Sequence, residues 1–427
     1  MIIDRVKNPD YQTIQQVSIP KIESIFLSNG IPLHYISVGE QPVVKLEISF
    51  DAGNWYEKEN GVSFFTAKML GEGTAKYSSS QISAFFDQYG AFIEFGHGLD
   101  RANITVYGLA KYLPALLPMV QEILNNATFP EDELIKFKKI QLQTLSVNTE
   151  KTSFLANKIF RNTIFGDNHP YGKSLDEEAI NTISRASLLE FYQSFWLNKK
   201  PRIFLSGKIT ETEVKLVEDF FGDIKVQEGD KKQLDNTQVY RAEKKEILIE
   251  REESVQSSIR IGKQMMTRKH PDYFKMLVLN ETLGGYFGSR LMKNIREEKG
   301  LTYGISSNIA PFSQAGYFVI GTDVKKEYTQ LTIDEIHKEI TILQKELIDA
   351  EELEVVKNYM IGSFAGSLNT PFDISDRYKV IFSEGLPTDF YDCYIQNIQA
   401  VTTEMVMEVA NQHLSINSLD EIVVGGK

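Results

Sequence analysis

Cysteine is almost missing from this chain: Cys393 is the single one in 427 residues. A lone thiol excludes an internal disulfide framework and a structural zinc site built on cysteine. No histidine partner is suggested by the residues around it, so Cys393 reads as a small buried or half-buried side chain. Histidine is scarce as well. No two of the six (His34, His97, His169, His270, His337 and His413) lie within five residues of each other. His97 has Glu94 before it and Asp100 after it, but in a strand–turn context that puts no pair of ligands on one helical face. His169 precedes Pro170 in a loop and reads as structural or capping.

Long apolar runs are absent too. The stretch Tyr112 to Val120 is broken by Pro114 and Pro118, well short of the roughly 18 residues of a membrane span. The opening MIIDRVKNPDYQ is polar by its fourth residue and lacks the apolar core of a signal peptide. The expected location is cytoplasmic, with no membrane partner. Positive charge is in deficit, with 46 Lys and Arg against 58 Asp and Glu for a net charge of −12. That balance disfavours nucleic acid as a partner, because phosphate contacts need clustered cations. There is no G-x-S-x-G elbow to support a serine nucleophile. Gly284, Gly285 and Gly288 form no dinucleotide fingerprint and follow no strand; Gly284 and Gly285 are expected to end a helix and permit a tight turn.

What remains is an ordinary globular composition, 42% hydrophobic and 24% charged, in a chain long enough for two domains or more. The polar segment 226–246, containing QEGDKKQLDNTQ, reads as a linker between domains spanning 1–225 and 247–427. The pattern in the two halves is similar. In the first, strands are expected over 43–50, 91–96, 103–109 and 202–209, with helices over 79–89, 113–125, 131–147 and 154–165. In the second, strands are expected over 257–263, on both sides of Pro311 and over 421–426, with helices over 273–283, 328–347 and 350–364. The fold class is therefore α+β: two duplicated domains, each a mostly antiparallel sheet packed with helices.

Residues 61–74, GVSFFTAKMLGEGT, have the frame of an inverted zinc motif without its chemistry. H-x-x-E-H places two histidines on one helical face with a glutamate general base beside them. Here Phe64 and Lys68 stand at the histidine spacing, and Ala67 at the glutamate. Phenylalanine has no lone pair to offer, and lysine is a cation with donors only. No zinc is expected in this chain. With AGNWYEKENG leading into it, this segment resembles the insulinase- or pitrilysin-like peptidases. HPYGKS (169–174), LGGYFGSRLMKNIREEKGLTYGISS (283–307), IDAEELEVVKNYMIGSF (348–364) and the terminal IVVGGK follow in the family's order. The resemblance implies a third ligand, a Glu on a later helix, near Gln141 to Thr144; no Asp or Glu occurs from Leu134 to Thr149.

The same resemblance gives Arg296 and Tyr303, in REEKGLTY, the role of holding the substrate carbonyl and stabilising its oxyanion. A guanidinium fork and a phenol are donors suited to that charge. Without the family frame, Arg296 reads as a surface ion-pair residue beside Glu297 and Glu298, and Tyr303 as a core residue. A chain without zinc ligands that keeps Arg and Tyr resembles the non-catalytic subunit of heterodimeric insulinase-like peptidases. The resemblance implies a zinc-bearing paralogous partner, unfolded peptide as substrate, and weak peptide contact at Gly284 and Gly285. The alternatives are an inactive scaffold and a peptide-binding homodimer.

Overall fold

The computed structural model describes Ile14, residues 17–224 and residues 244–427. Most of the expected linker, 226–243, lies outside the described residues. Its last residue, Glu246, already opens a strand.

Strands β1 (Glu23–Phe26), β2 (Pro32–Ser37), β3 (Val43–Phe50), β4 (Phe92–His97), β5 (Ala102–Leu109) and β6 (Arg202–Gly207) form one sheet in the order β1-β2-β6-β3-β5-β4. Strands β7 (Glu246–Glu250), β8 (Gln256–Met265), β9 (Ile305–Pro311), β10 (Gly316–Lys325) and β11 (Asp420–Gly425) form the other, in the order β7-β11-β8-β10-β9. Apart from β1, the second order is the first with each strand number raised by five. The pairings agree as well: β2 with β6 and β7 with β11 are parallel, and the other neighbouring strands of both sheets are antiparallel. The same winding repeated in both halves is the architecture that the duplicated α+β pattern predicts.

The first half adds helices α1 (Val62–Met69), α2 (Ser79–Gln88), α3 (Leu113–Asn126), α4 (Glu131–Thr149), α5 (Thr152–Phe165), α6 (Glu177–Thr182), α7 (Arg185–Tyr192) and α8 (Glu211–Phe221). The second adds α9 (Tyr273–Asn280), α10 (Thr329–Lys345), α11 (Ala350–Gly366), α12 (Pro371–Glu384), α13 (Tyr394–Gln399) and α14 (Thr403–His413). Strands β1, β2 and β7, helix α8 and the helices from α12 onward lie outside the expected elements; the shortest of them, β1, β7 and α13, carry too few periods to be read. Among the described residues, no helix is long and apolar enough to cross a membrane.

Two helices are traded between the halves. From the first half, α5 packs on β8 and β11; from the second, α12 packs on β2 and β6. The seam is apolar, with Trp55, Phe160, Phe165 and Tyr171 of the first half clustered with Ala315, Ile422 and Val424 of the second. Alternation along β3 explains the other contact. Val44, Leu46, Ile48 and Phe50 face the first half's own core. Lys45 and Glu47, on the opposite face, are equally buried because α12 covers them.

Candidate functional site

Helix α1 carries the degenerate motif. It starts at Gly61, whose φ of 89° is left-handed, a region in which only glycine sits without strain. A Cβ there would also meet the Leu175 side chain at 2.4 Å. The first turn is held from outside the helix. Glu57 Oε2 accepts the Ser63 backbone N–H at 3.2 Å and the Ser63 hydroxyl at 2.6 Å, and Glu57 Oε1 accepts from Asn54 Nδ2 at 3.0 Å. Burial pushes the Glu57 carboxyl pKa upward, against those hydrogen bonds.

Phe64 is half-buried in an aromatic nest, 5.6 Å from Phe65, 5.9 Å from Phe137 on α4 and 5.5 Å from His97. Ala67 is fully buried. Lys68 is exposed, and its ammonium donates to the Phe95 carbonyl of β4 at 2.6 Å. Lys68 is thus a solvated helix residue tied to a strand. Helix α4 meets the motif through Phe137, and Thr144 turns its hydroxyl back onto Ile140 of its own helix at 2.8 Å. Zinc therefore does not fit here: the two ligand positions hold a ring and an ammonium, and an aromatic face fills the approach from α4.

His97 joins the motif region without serving as a ligand. Its Nε2 lies 2.9 Å from the Ser63 hydroxyl, the same hydroxyl that donates to Glu57. Burial, and secondarily the Lys68 charge, lowers its pKa to about 4, so the ring is neutral at pH 7. Asp100, its neighbour in sequence, is committed elsewhere. Its carboxylate accepts from the Tyr171 hydroxyl at 2.5 Å and from the Ser313 backbone N–H at 3.1 Å. His169 has the structural role that its loop implies, with Nδ1 accepting the Tyr171 N–H at 3.1 Å.

The second half presents the residues in LGGYFGSRLMKNIREEKGLTY. Helix α9 runs on into a wide turn, Glu281–Gly285. The helical stretch ends at Gly285, as expected, and neither Gly284 nor Gly285 adopts a positive φ. Gly284 is needed for closeness instead: a Cβ on it would lie 2.7 Å from the Ser307 backbone nitrogen of β9. Tyr303 is 93% exposed and lines a cleft of about 470 Å³ on the second sheet, together with Arg260, Ser306, Asn308, Asp323 and Asn157 of α5. The core alternative for Tyr303 is thereby overturned. Arg296 does not line this cleft. Its guanidinium lies 4.7 Å from the centre of the Phe287 ring, a cation–π contact with a phenylalanine that is itself 62% exposed. Sequence reasoning passed over Phe287; an aromatic one residue from glycine in a loop was its only signal. No residue of α1 lines the Tyr303 cleft.

The insulinase family model (peptidase family M16) matches residues 35–174, and the model described as peptidase M16 inactive domain matches residues 182–360. The chain belongs to the insulinase family. It is 24% identical over 358 residues to an uncharacterized zinc protease, YmxG, of Bacillus subtilis, covering 83% of this chain and 85% of that one. It is 24% identical over 444 residues to the non-peptidase homolog YmxG of Helicobacter pylori, covering 97% and 94%. With the β subunit of the rat mitochondrial-processing peptidase, identity is 22% over 435 residues, covering 96% and 86%. A solved M16 inactive-domain structure from Pseudomonas fluorescens superposes with a TM-score of 0.85 at 24% identity, covering 95% and 98%, and shows the shared fold. In the frame of this family the chain is an inactive member.

Proposed function

We propose that this protein is the non-catalytic half of a paired insulinase-type zinc peptidase. Its partner is a paralogous chain with H-x-x-E-H intact, which holds the zinc. Peptide-bond hydrolysis by zinc-activated water takes place on that partner. This chain helps enclose the unfolded peptide and donates Arg296 and Tyr303 to the partner's active site, where a guanidinium and a phenol stabilise charge developing on the carbonyl oxygen. No catalytic zinc is assigned to its motif residues Phe64, Ala67 and Lys68.

One observation carries this reading. The motif helix packs the half-buried Phe64 against Phe137 while Tyr303 remains almost fully exposed on a polar cleft that no motif residue lines. A donor kept in water, away from its own chain's degenerate site, is suited to work in trans. The rat relative is by name a subunit of a processing peptidase, in keeping with a paired assembly.

The test is reconstitution. The chain is mixed with a zinc-bearing paralogue, and cleavage of an unstructured peptide is followed. Neither chain alone is expected to turn over peptide, and the mixture is expected to do so in a chelator-sensitive manner. Tyr303→Phe and Arg296→Ala are each expected to lower kcat/KM by about 10²-fold, the scale of one lost oxyanion donor. Unchanged turnover in both variants removes the assigned role and leaves a scaffold. Peptide binding without cleavage by a pair of identical chains favours the homodimer.

A further inference from the structure

The one cluster of metal-ligating side chains among the described residues lies away from the degenerate motif, in the second half. His270 and Asp272 stand in the loop that enters α9, and His413 is the last residue of α14. These residues are 141 positions apart at their widest hydrogen bond, so no sequence spacing announces the cluster. Packing of α14 against α9 brings them together.

The geometry is close to that of a bound divalent ion. Asp272 Oδ2 lies 3.1 Å from His413 Nε2 and 3.9 Å from His270 Nδ1, and the three ligand atoms all fall within 4.8 Å of one another. Ligand atoms each about 2.0–2.2 Å from a tetrahedral zinc are roughly 3.3–3.5 Å apart. The His413–Asp272 edge is already near that spacing, and the His270 ring must close by about 0.5 Å towards Asp272 and by up to about 1.4 Å towards His413. Its side chain is the most open of the three, at 38% exposed against 14% and 12%, so it is free to move. Lys275 Nζ holds the other carboxylate oxygen, Oδ1, at 2.9 Å. That contact fixes the Asp272 rotamer and leaves Oδ2 to the ion, at the cost of one nearby positive charge.

We infer that His270, Asp272 and His413 form a zinc site that clips the C-terminal helix α14 to the entry of α9. Two imidazole nitrogens and one carboxylate oxygen suit Zn²⁺, and Co²⁺ as its spectroscopic substitute, over the all-oxygen shells of Mg²⁺ and Ca²⁺. The fourth position belongs to water on the His270 side, which is open to solvent. On binding, His270 Nδ1 exchanges the Asp272 backbone N–H it accepts at 3.1 Å for the ion. In the metal-free form His413 Nε2–H donates to the Asp272 carboxylate; on binding, Nε2 gives up that proton, the neutral ring carries its proton on Nδ1 instead, and the freed Nε2 lone pair goes to the ion. The assignment is independent of the proposed partner chain: it concerns this polypeptide alone.

The test uses the full chain, freed of metal with a chelator and titrated with zinc chloride by calorimetry and with cobalt chloride by visible absorption. One equivalent is expected to bind, with the cobalt bands of a four-coordinate site, and to raise the melting temperature. His270→Ala and His413→Ala are each expected to weaken binding by more than about tenfold, while Phe64→Ala and Lys68→Ala leave it unchanged. His270 is mostly solvent-facing, so its variant separates a lost ligand from a lost fold; far-ultraviolet dichroism of the metal-free forms confirms that separation. Absence of binding at micromolar zinc overturns the site. So does binding that survives both histidine variants, and such binding, if lost instead in Lys68→Ala, also counts against the degenerate motif on which the proposed function rests.

Discussion

Single residues carry the loss of the inherited chemistry and also introduce a pH sensitivity. Phe64 and Lys68 differ in what they do. The ring is packed against Phe137, whereas the ammonium reaches out to the Phe95 carbonyl. His97 titrates beside them; at the contact with α12 a second buried ring, His34, stacks on Phe382 at 3.8 Å. Burial lowers both pKa values to about 4 from 6.5. The folded state therefore refuses a proton that the unfolded chain accepts between those limits. Stability is expected to be flat above pH 6.5 and to fall as pH drops from 6.5 towards 4. The slope is at most about 1.4 kcal/mol per pH unit for each ring, less to the extent that water reaches it. Chemical denaturation at several pH values measures this; His97→Gln should flatten the slope, and an unchanged slope in that variant would show that the ring titrates normally. The residues at the motif positions were legible from their spacing alone. The partnership of His97 with Ser63 and Glu57 was not, because residues from a loop, a helix and a strand end meet only after β4 is laid beside α1.

At the scale of elements, β3 shows the limit of pattern reading. Its alternation was clear, and its bounds agree with the expected 43–50. Alternation alone implies that the Lys45–Glu47 face meets water, yet both residues are under 5% exposed. Helix α12 supplies their counter-charges: Lys45 Nζ lies 2.7 Å from Asp376, and Lys379 Nζ lies 3.0 Å from Glu47. Proximity to those lysines, against the opposing effect of burial, holds the Asp376 carboxyl below its ordinary range. Removing one member leaves a buried charge without enough compensation, which typically costs several kcal/mol. Glu47→Ala is expected to destabilise by about 3 kcal/mol. A Lys45→Met, Glu47→Leu double variant should recover most of that, because Asp376 and Lys379 remain paired with each other at 3.1 Å. Urea midpoints of the two variants decide the matter; equal losses in both would mean that the network's worth is not electrostatic. Long helices such as α4 and α10 were readable in advance because their periodicity spans several turns. Helix α12 escaped notice because its mixed face answers to a charged strand and not to an apolar one.

At the scale of the molecule, the two halves are joined by exchanged helices and by one buried phenol. Tyr171 is fully buried; its hydroxyl donates to Asp100 and accepts the Gln314 backbone N–H at 3.3 Å, across the seam. Desolvation and the Asp100 charge push its pKa far above the ordinary phenol range, so it stays a donor at every working pH. Tyr171→Phe is expected to cost about 1–3 kcal/mol by leaving an Asp100 oxygen unpaired. The loss should appear first as faster hydrogen exchange in the turn 312–315 and in α5, with the outer strands β1 and β4 unaffected; uniform acceleration would deny the seam its role. The sequence by itself determined the α+β class, the repeat of one pattern in two halves, and the absence of zinc chemistry at residues 64, 67 and 68. Each of these depends on side-chain type and local period, which the chain carries wherever it folds. Only the tertiary structure decided that α5 and α12 cross to the opposite sheet, that Tyr303 stands in solvent while Phe64 packs against Phe137, and that His270 and Asp272 meet His413. Those outcomes depend on which surfaces bury each other, and contacts between residues more than a hundred positions apart leave no period in the sequence to read.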